Sequence, residues 1–263
     1  MSDIKFALTS VKKNFRNEKE LRISFLISIL GMVLNNVAFL IIWYYFGKTI
    51  GIINGWKPLD ILGLFAFSGI SYGLVETPFQ GIFKLPTYIA SGVFDKFLTT
   101  PKNILIKVST SALSTSAIGD LLYGLVCFVM FAIFRKLTMF QLFLAFSLMI
   151  ITSIIYYSFS LICMSISFYL MEGENVSEGL HNLFLSNSLY HGGAFTGALR
   201  FIFIFLIPSL LLGAVPVEII INMSLIQFIM IILLTIFWFI LSILFFYKSI
   251  RKYESNNFFG FGS

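Results

Sequence analysis

The chain has 263 residues, of which 58% are hydrophobic and only 11% charged, with a net charge of +6. Its mean hydropathy of +0.94 excludes an ordinary soluble domain and describes a polytopic membrane protein. The basic residues lie at the ends of apolar runs rather than on one soluble face, which argues against nucleic acid and for anionic lipid as their partner.

In chain order, Ile4, Leu8, Val11 and Phe15 recur at helical spacing while Lys5, Lys12, Lys13 and Arg16 take the other faces. Residues 1–22 are therefore expected to form an amphipathic helix on the membrane surface that enters the first span without a break. That first apolar run is too long for a signal-peptide core and is read as retained. Six runs approach the about 20 residues that cross a hydrocarbon layer. They lie near 23–46, 60–83, 112–134, 140–170, 198–216 and 226–247. The expectation is an all-α membrane protein, one transmembrane domain over 1–263 with six transmembrane helices.

Between the first two spans, Gly47 to Pro58 is polar, with Trp56 at the position of an interfacial anchor. Gly47-Lys48-Thr49 resembles the end of a phosphate-binding loop, but Ile42 stands where that loop needs glycine, so the match is chance. Gly63, Gly69 and Gly73 allow close helix approach in the second span, and Pro78 predicts a kink near its inner end. Arg135 to Thr138 is short enough to make spans three and four an antiparallel hairpin. Residues 171–199, with Glu172, Glu174 and Glu178 before Leu180, Phe184 and Leu185, are expected to cap the inner face as a surface helix. The fifth run carries Pro208 and Pro216, and 215–222, with Glu218, forms an outer connection or re-entrant turn.

Fourteen of the eighteen Lys and Arg residues fall on one side of these spans, with Arg200 among them. Lys48, Lys57, Arg135 and Lys136 are the four on the other side. By the positive-inside rule both termini are cytoplasmic. Cys127 and Cys163 lie inside spans, where thiols pack as small hydrophobes. His181 and His191 lack metal-ligand neighbours at useful spacing and suit capping or surface roles. Glu76 and Asp120 are the acids placed within apolar runs. An ionisable group there is a functional candidate by default, as a proton relay, a catalytic pair, or a structural or gating pair bonded to nearby Ser, Thr and Tyr.

The stretch Gly92-Val93-Phe94-Asp95-Lys96-Phe97-Leu98 to Pro101 sits on the inner side between spans two and three. Its apolar residues Val93, Phe94, Phe97 and Leu98 fall at helical spacing, Gly92 frees the start and Pro101 ends the turn. The pattern fits either an interfacial loop or a docking surface.

Gly55-Trp56, a glycine-bearing span and Gly92-x-x-Asp95-x-x-Leu98-x-x-Pro101 together resemble the ABC-2 type permeases, the membrane subunits of ATP-binding-cassette exporters, in a subgroup often encoded as paired permeases. Leu199-Arg200 through Pro208 to Pro216 is similar as well, while His191 stands where a proline is expected after Tyr190. The resemblance implies a six-helix half-transporter with an interfacial N-terminal helix, a coupling helix over 91–101 and re-entrant structure before the last span. It implies no catalysis and no cofactor in this chain, with ATP and Mg bound by cytoplasmic ATPase partners. It also implies a second permease, identical or related, in the cytoplasmic membrane of a bacterium. The rival functions are an ion-coupled carrier or channel using Glu76 and Asp120, and an intramembrane enzyme. The expected cargo is hydrophobic or amphiphilic.

Overall fold

The computed structural model describes residues 3–52, 55–170 and 173–253. Glu172 and the tail 255–263 lie outside them. Among the described residues there are twelve α-helices and no strand. They are α1 (Asp3–Glu20), α2 (Arg22–Ile50), α3 (Ile61–Phe79), α4 (Leu85–Ala90), α5 (Asp95–Leu98) and α6 (Ile104–Ser109). The second half holds α7 (Ser116–Arg135), α8 (Met139–Ser165), α9 (Gly173–Ser188), α10 (Gly197–Phe201), α11 (Ala214–Asn222) and α12 (Leu225–Ile250). Among the described residues, five stretches are long and apolar enough to cross a membrane: Arg22–Tyr45, Pro58–Ala90, Ser116–Arg135, Met139–Phe168 and Leu225–Ile250. The chain is a multi-pass membrane protein.

The bundle has two distinguishable ends. One carries α4, α5 and α6. The other carries Trp56, the start of α3 and the α7–α8 turn, which are fixed together because Arg135 grips the buried Asp60 carboxylate through both oxygens. That turn is the expected antiparallel hairpin. Lys136 takes a left-handed backbone there, and Thr138 caps α8 through a reciprocal bond with Gln141.

Between the ends, α3 packs on α7 at a distance only glycine permits. A Cβ on Gly73 would lie 2.5 Å from Leu121 Cβ, and one on Gly124 would lie 2.7 Å from the Ile70 nitrogen. Close approach of this kind replaces the hydrophobic drive that is missing between helices in lipid with dispersion contact. Pro78 ends α3 a residue later, where the chain tightens into a 3-10 turn at Gln80–Ile82.

Four expectations are corrected. The chain bends at Leu21 between α1 and α2 rather than running straight through. Trp56 is no interfacial anchor: it is buried beneath Gly192, its ring tilted against His191 with centroids 4.8 Å apart, and its indole nitrogen lies 3.3 Å from Glu218 Oε1. The 198–216 run is not one helix. It is α10, a π-turn at Ile202–Leu206, a break at Pro208, a 3-10 turn at Ser209–Leu211, and the start of α11. The result is a hairpin whose tip at Gly213 abuts Leu64 and the Ser188 carbonyl and whose arms are tied by Arg200 and Glu218 at 2.5 Å.

The fourth correction concerns α9, which does not cap one face. It begins at the α4 end, where Thr87 donates to Glu174 at 2.7 Å and Gly173 presses on Ser167. Along its length His181 packs at a tilt against Phe83 and Tyr156, and Ser188 meets the Tyr72 hydroxyl at 2.5 Å. Beyond it, Tyr190 packs on Trp43 at 5.3 Å and His191 reaches Trp56. This segment thus runs from one end of the bundle to the other, and Arg200 lies at the Trp56 end. That moves Arg200 to the smaller group of basic residues, leaving thirteen against five.

Candidate coupling site and membrane polar groups

Residues 91–101 form a turn and a single-turn helix at the end of the bundle opposite Trp56. Gly92 adopts a φ of 70°, which lets the chain reverse after α4 without a Cβ penalty. The four apolar side chains of the expected docking set divide. Phe94 is buried, packed edge-on against Phe168 at 5.1 Å and Tyr253 at 4.9 Å, in a cluster with Ile82, Leu85, Val108, Leu161, Met164 and Phe246. It anchors the stretch to its own fold and is unavailable to a partner. Phe97 is half-buried against Tyr88, and Val93 is half-buried too. Leu98 is 42% exposed, beside exposed Lys96, Thr99 and Pro101.

A second clamp comes from Lys107, which sequence reasoning missed. Its side chain is buried in α6, and its ammonium donates to the Phe97 carbonyl, to the Thr100 carbonyl at 2.7 Å and to the Thr100 hydroxyl at 3.0 Å. These acceptors close the C-terminal end of α5, where unpaired carbonyls and the helix dipole favour a cation. Burial lowers the lysine's pKa below its ordinary value, so the carbonyls are what make the charge tolerable. Asp95 sits half-buried at the other end of α5 beside Tyr253. Burial, then the hydrogen bond with Asp95 and the Asp95 charge, push the Tyr253 phenol up to about 12, so it stays neutral. The helix α1 is tethered here as well: Ser10 and Asn14 both donate to the Thr110 carbonyl at 3.0 Å. Its outer residues Ile4 and Leu8 stay exposed.

Glu76 and Asp120 have separate partners. Tyr156 on α8 donates to Glu76, and Asn36 on α2 donates to Asp120 at 2.6 Å. Three further, separate polar pairs tie α3, α8 and α9: Ser71 with Thr152 at 2.7 Å, Tyr72 with Ser188, and Ser160 with His181 at 3.0 Å. His191 accepts from the Gly193 N–H and so caps a short turn. Both cysteines are buried and free.

A profile described as ABC-2 family transporter protein matches residues 33–257. The chain belongs to the ABC-2 transporter family. Membrane proteins of this ABC-2 family are transport components that partner with ATPase subunits. No curated protein and no solved structure matches the chain.

The outward side of α9 gives this ABC-2 protein a second candidate surface. Gly173, Ser177, His181, Phe184 and Ser188 face the bundle, while Asn175, Glu178, Asn182 and Ser186 are exposed along the opposite side. The signal was present in the sequence as a polar repeat at helical spacing, but it resembled a solvated surface helix.

Proposed function

We propose that this chain is the permease subunit of an ABC exporter, moving a hydrophobic or amphiphilic substrate with ATP hydrolysed by separate subunits. The six crossings are α2, α3, α7, α8, α9 and α12, with both termini and α5 on the cytoplasmic face. α9 replaces the 198–216 run as the fifth crossing, and the Arg200–Glu218 hairpin is re-entrant from outside. The distribution of basic residues supports this sidedness. Two permease chains, identical or related, enclose the path. The polar side of α9 lines it, since Asn182 and Glu178 in contact with acyl chains would cost a few kcal/mol apiece.

The observation that carries the proposal is the two-sided build of residues 91–101. Phe94 and Lys107 lock one side to the bundle, and Leu98, Lys96 and Pro101 leave the other bare. A lever must be stiff toward the gate and open toward its driver, and this stretch is both. The Phe97 contact is shared between the two sides, which makes Leu98 the sharper probe. Burying Leu98 in an ATPase groove is worth about 1.5–3 kcal/mol before the costs of association. Leu98→Asp should therefore weaken ATPase docking by about 10- to 100-fold and abolish permease-stimulated ATP hydrolysis in reconstituted complex, with membrane insertion unchanged. Stimulation equal to wild type would remove the proposal. Sidedness has its own check: Asn175→Cys should label from the cytoplasmic side and Ala194→Cys from outside.

A further inference from the structure

An apolar cavity of about 430 Å³ opens in the wall formed by α3, α6, α8 and α12. Leu74, Ile150 and Phe239 are exposed at its rim, while Val75 and Ser109 lie buried in its floor. α3, α8 and α12 are three of the helices long and apolar enough to cross a membrane, so the opening faces the bilayer sideways. Ile150 to Tyr157 lie roughly 17 to 27 Å along α8 from Met139, counted at about 1.5 Å per residue, which places the cavity in the half of the membrane nearer α6.

Its three polar side chains are already satisfied. Ser109 pairs with the Tyr157 hydroxyl at 2.8 Å and with the Leu105 carbonyl at 2.7 Å, and Ser153 donates to the Met149 carbonyl at 2.7 Å. A buried water needs two to four polar partners, and this wall offers no free donor, only the spare lone pairs of the Ser153 and Tyr157 hydroxyls. Lipid is the medium that meets the rim.

We propose that this cavity is a binding site for one acyl chain of a phospholipid from the leaflet next to α6. The site touches the coupling machinery directly. Leu105 and Ile106 line it, and Lys107, the next residue, holds the end of α5. A chain seated there packs against the helix that steadies the lever, and the lipid becomes part of its support.

The test uses the full-length protein, purified in detergent after repeated delipidating washes. Native mass spectrometry counts retained phospholipid, and a phospholipid with a diazirine on its acyl chain maps contact before solubilisation. The wild type should keep one phospholipid per chain, with label concentrated on Ile150, Ile154 and Phe239. Ser153→Phe and Ile243→Trp fill the cavity from two different helices, and each should lower retention about tenfold, the effect of losing one modest contact set. Gel filtration identifies a variant that fails to fold, and the other then carries the test. Equal retention in wild type and a folded variant overturns the proposal. So does label spread equally over the open ridge residues Leu233 and Ile240, or recovery of detergent, cargo or a second permease in place of phospholipid. None of these readouts depends on ATP, so the transport proposal stands or falls separately.

Discussion

The outward sides of α9 and α12 are opposites. α12 exposes Leu225, Ile226, Ile229, Leu233, Ile236, Phe237, Ile240 and Leu244, while along its middle Thr235 and Ser242 turn inward and bond to its own backbone, and exposed Tyr247 and Lys248 are confined to its last turn. α9 turns Asn175, Glu178, Asn182 and Ser186 outward, with Val176, Leu180 and Leu183 exposed along one flank of that polar stripe, and buries Phe184. Both helices run along the same bundle, so depth does not explain the contrast. The neighbour does: α12 is dressed for hydrocarbon, whereas α9 is dressed for water, cargo or a partner chain.

Matched substitutions would break that contrast if it is misjudged. The largest effect is expected for Ile236→Asp, which places a carboxylate against lipid near the middle of α12 and should cost about 2.5–3.5 kcal/mol of insertion free energy. Asn182→Asp on α9 should insert almost normally. Glycosylation-reporter insertion assays compare the two, and equal penalties would mean that α9 also faces lipid. A smaller effect is expected from Asn182→Leu combined with Ser186→Leu. Folding and ATPase stimulation should persist while transport falls about tenfold, corresponding to about 1.4 kcal/mol at the barrier. Retained transport would take α9 out of the path. The mildest change sharpens the comparison without disturbing it: Ser186→Cys should react with a membrane-impermeant maleimide at least about tenfold faster than Ile236→Cys, because only a water-facing thiol forms thiolate readily.

Much of the scaffold was legible from hydropathy alone. The runs near 23–46, 112–134, 140–170 and 226–247 become α2, α7, α8 and α12 with ends shifted by a few residues, because a lipid-facing helix must be apolar nearly all round. The end-to-end course of α9 was not legible: Glu174, Glu178, Asn175 and Asn182 keep its mean hydropathy below that of the runs that become α2, α7, α8 and α12. The 198–216 run misled because a hairpin inserted into a bundle is as apolar as a crossing. Pro208 and Gly213 at its turn were the available warning. At the candidate coupling stretch the expected helix over 91–101 is only the single turn Asp95–Leu98, with Gly92 in the turn that precedes it. Periodicity grouped Phe94 with Leu98, yet only packing decides which apolar side chain turns toward Phe168 and Tyr253. The Asp60–Arg135 and Arg200–Glu218 pairs were invisible, since each joins residues from separate runs.

The glycine seam between α3 and α7 bears on how motion would travel. Residues 80–115, which hold the coupling stretch, leave the bundle from α3 and return to it through α7, and Gly73 and Gly124 let those two helices touch backbone to backbone. Under the proposed coupling, a push on that stretch would not wedge such a pair apart without losing contact along the whole joint. It would instead tilt them as a single plank about the end where Asp60 and Arg135 are pinned.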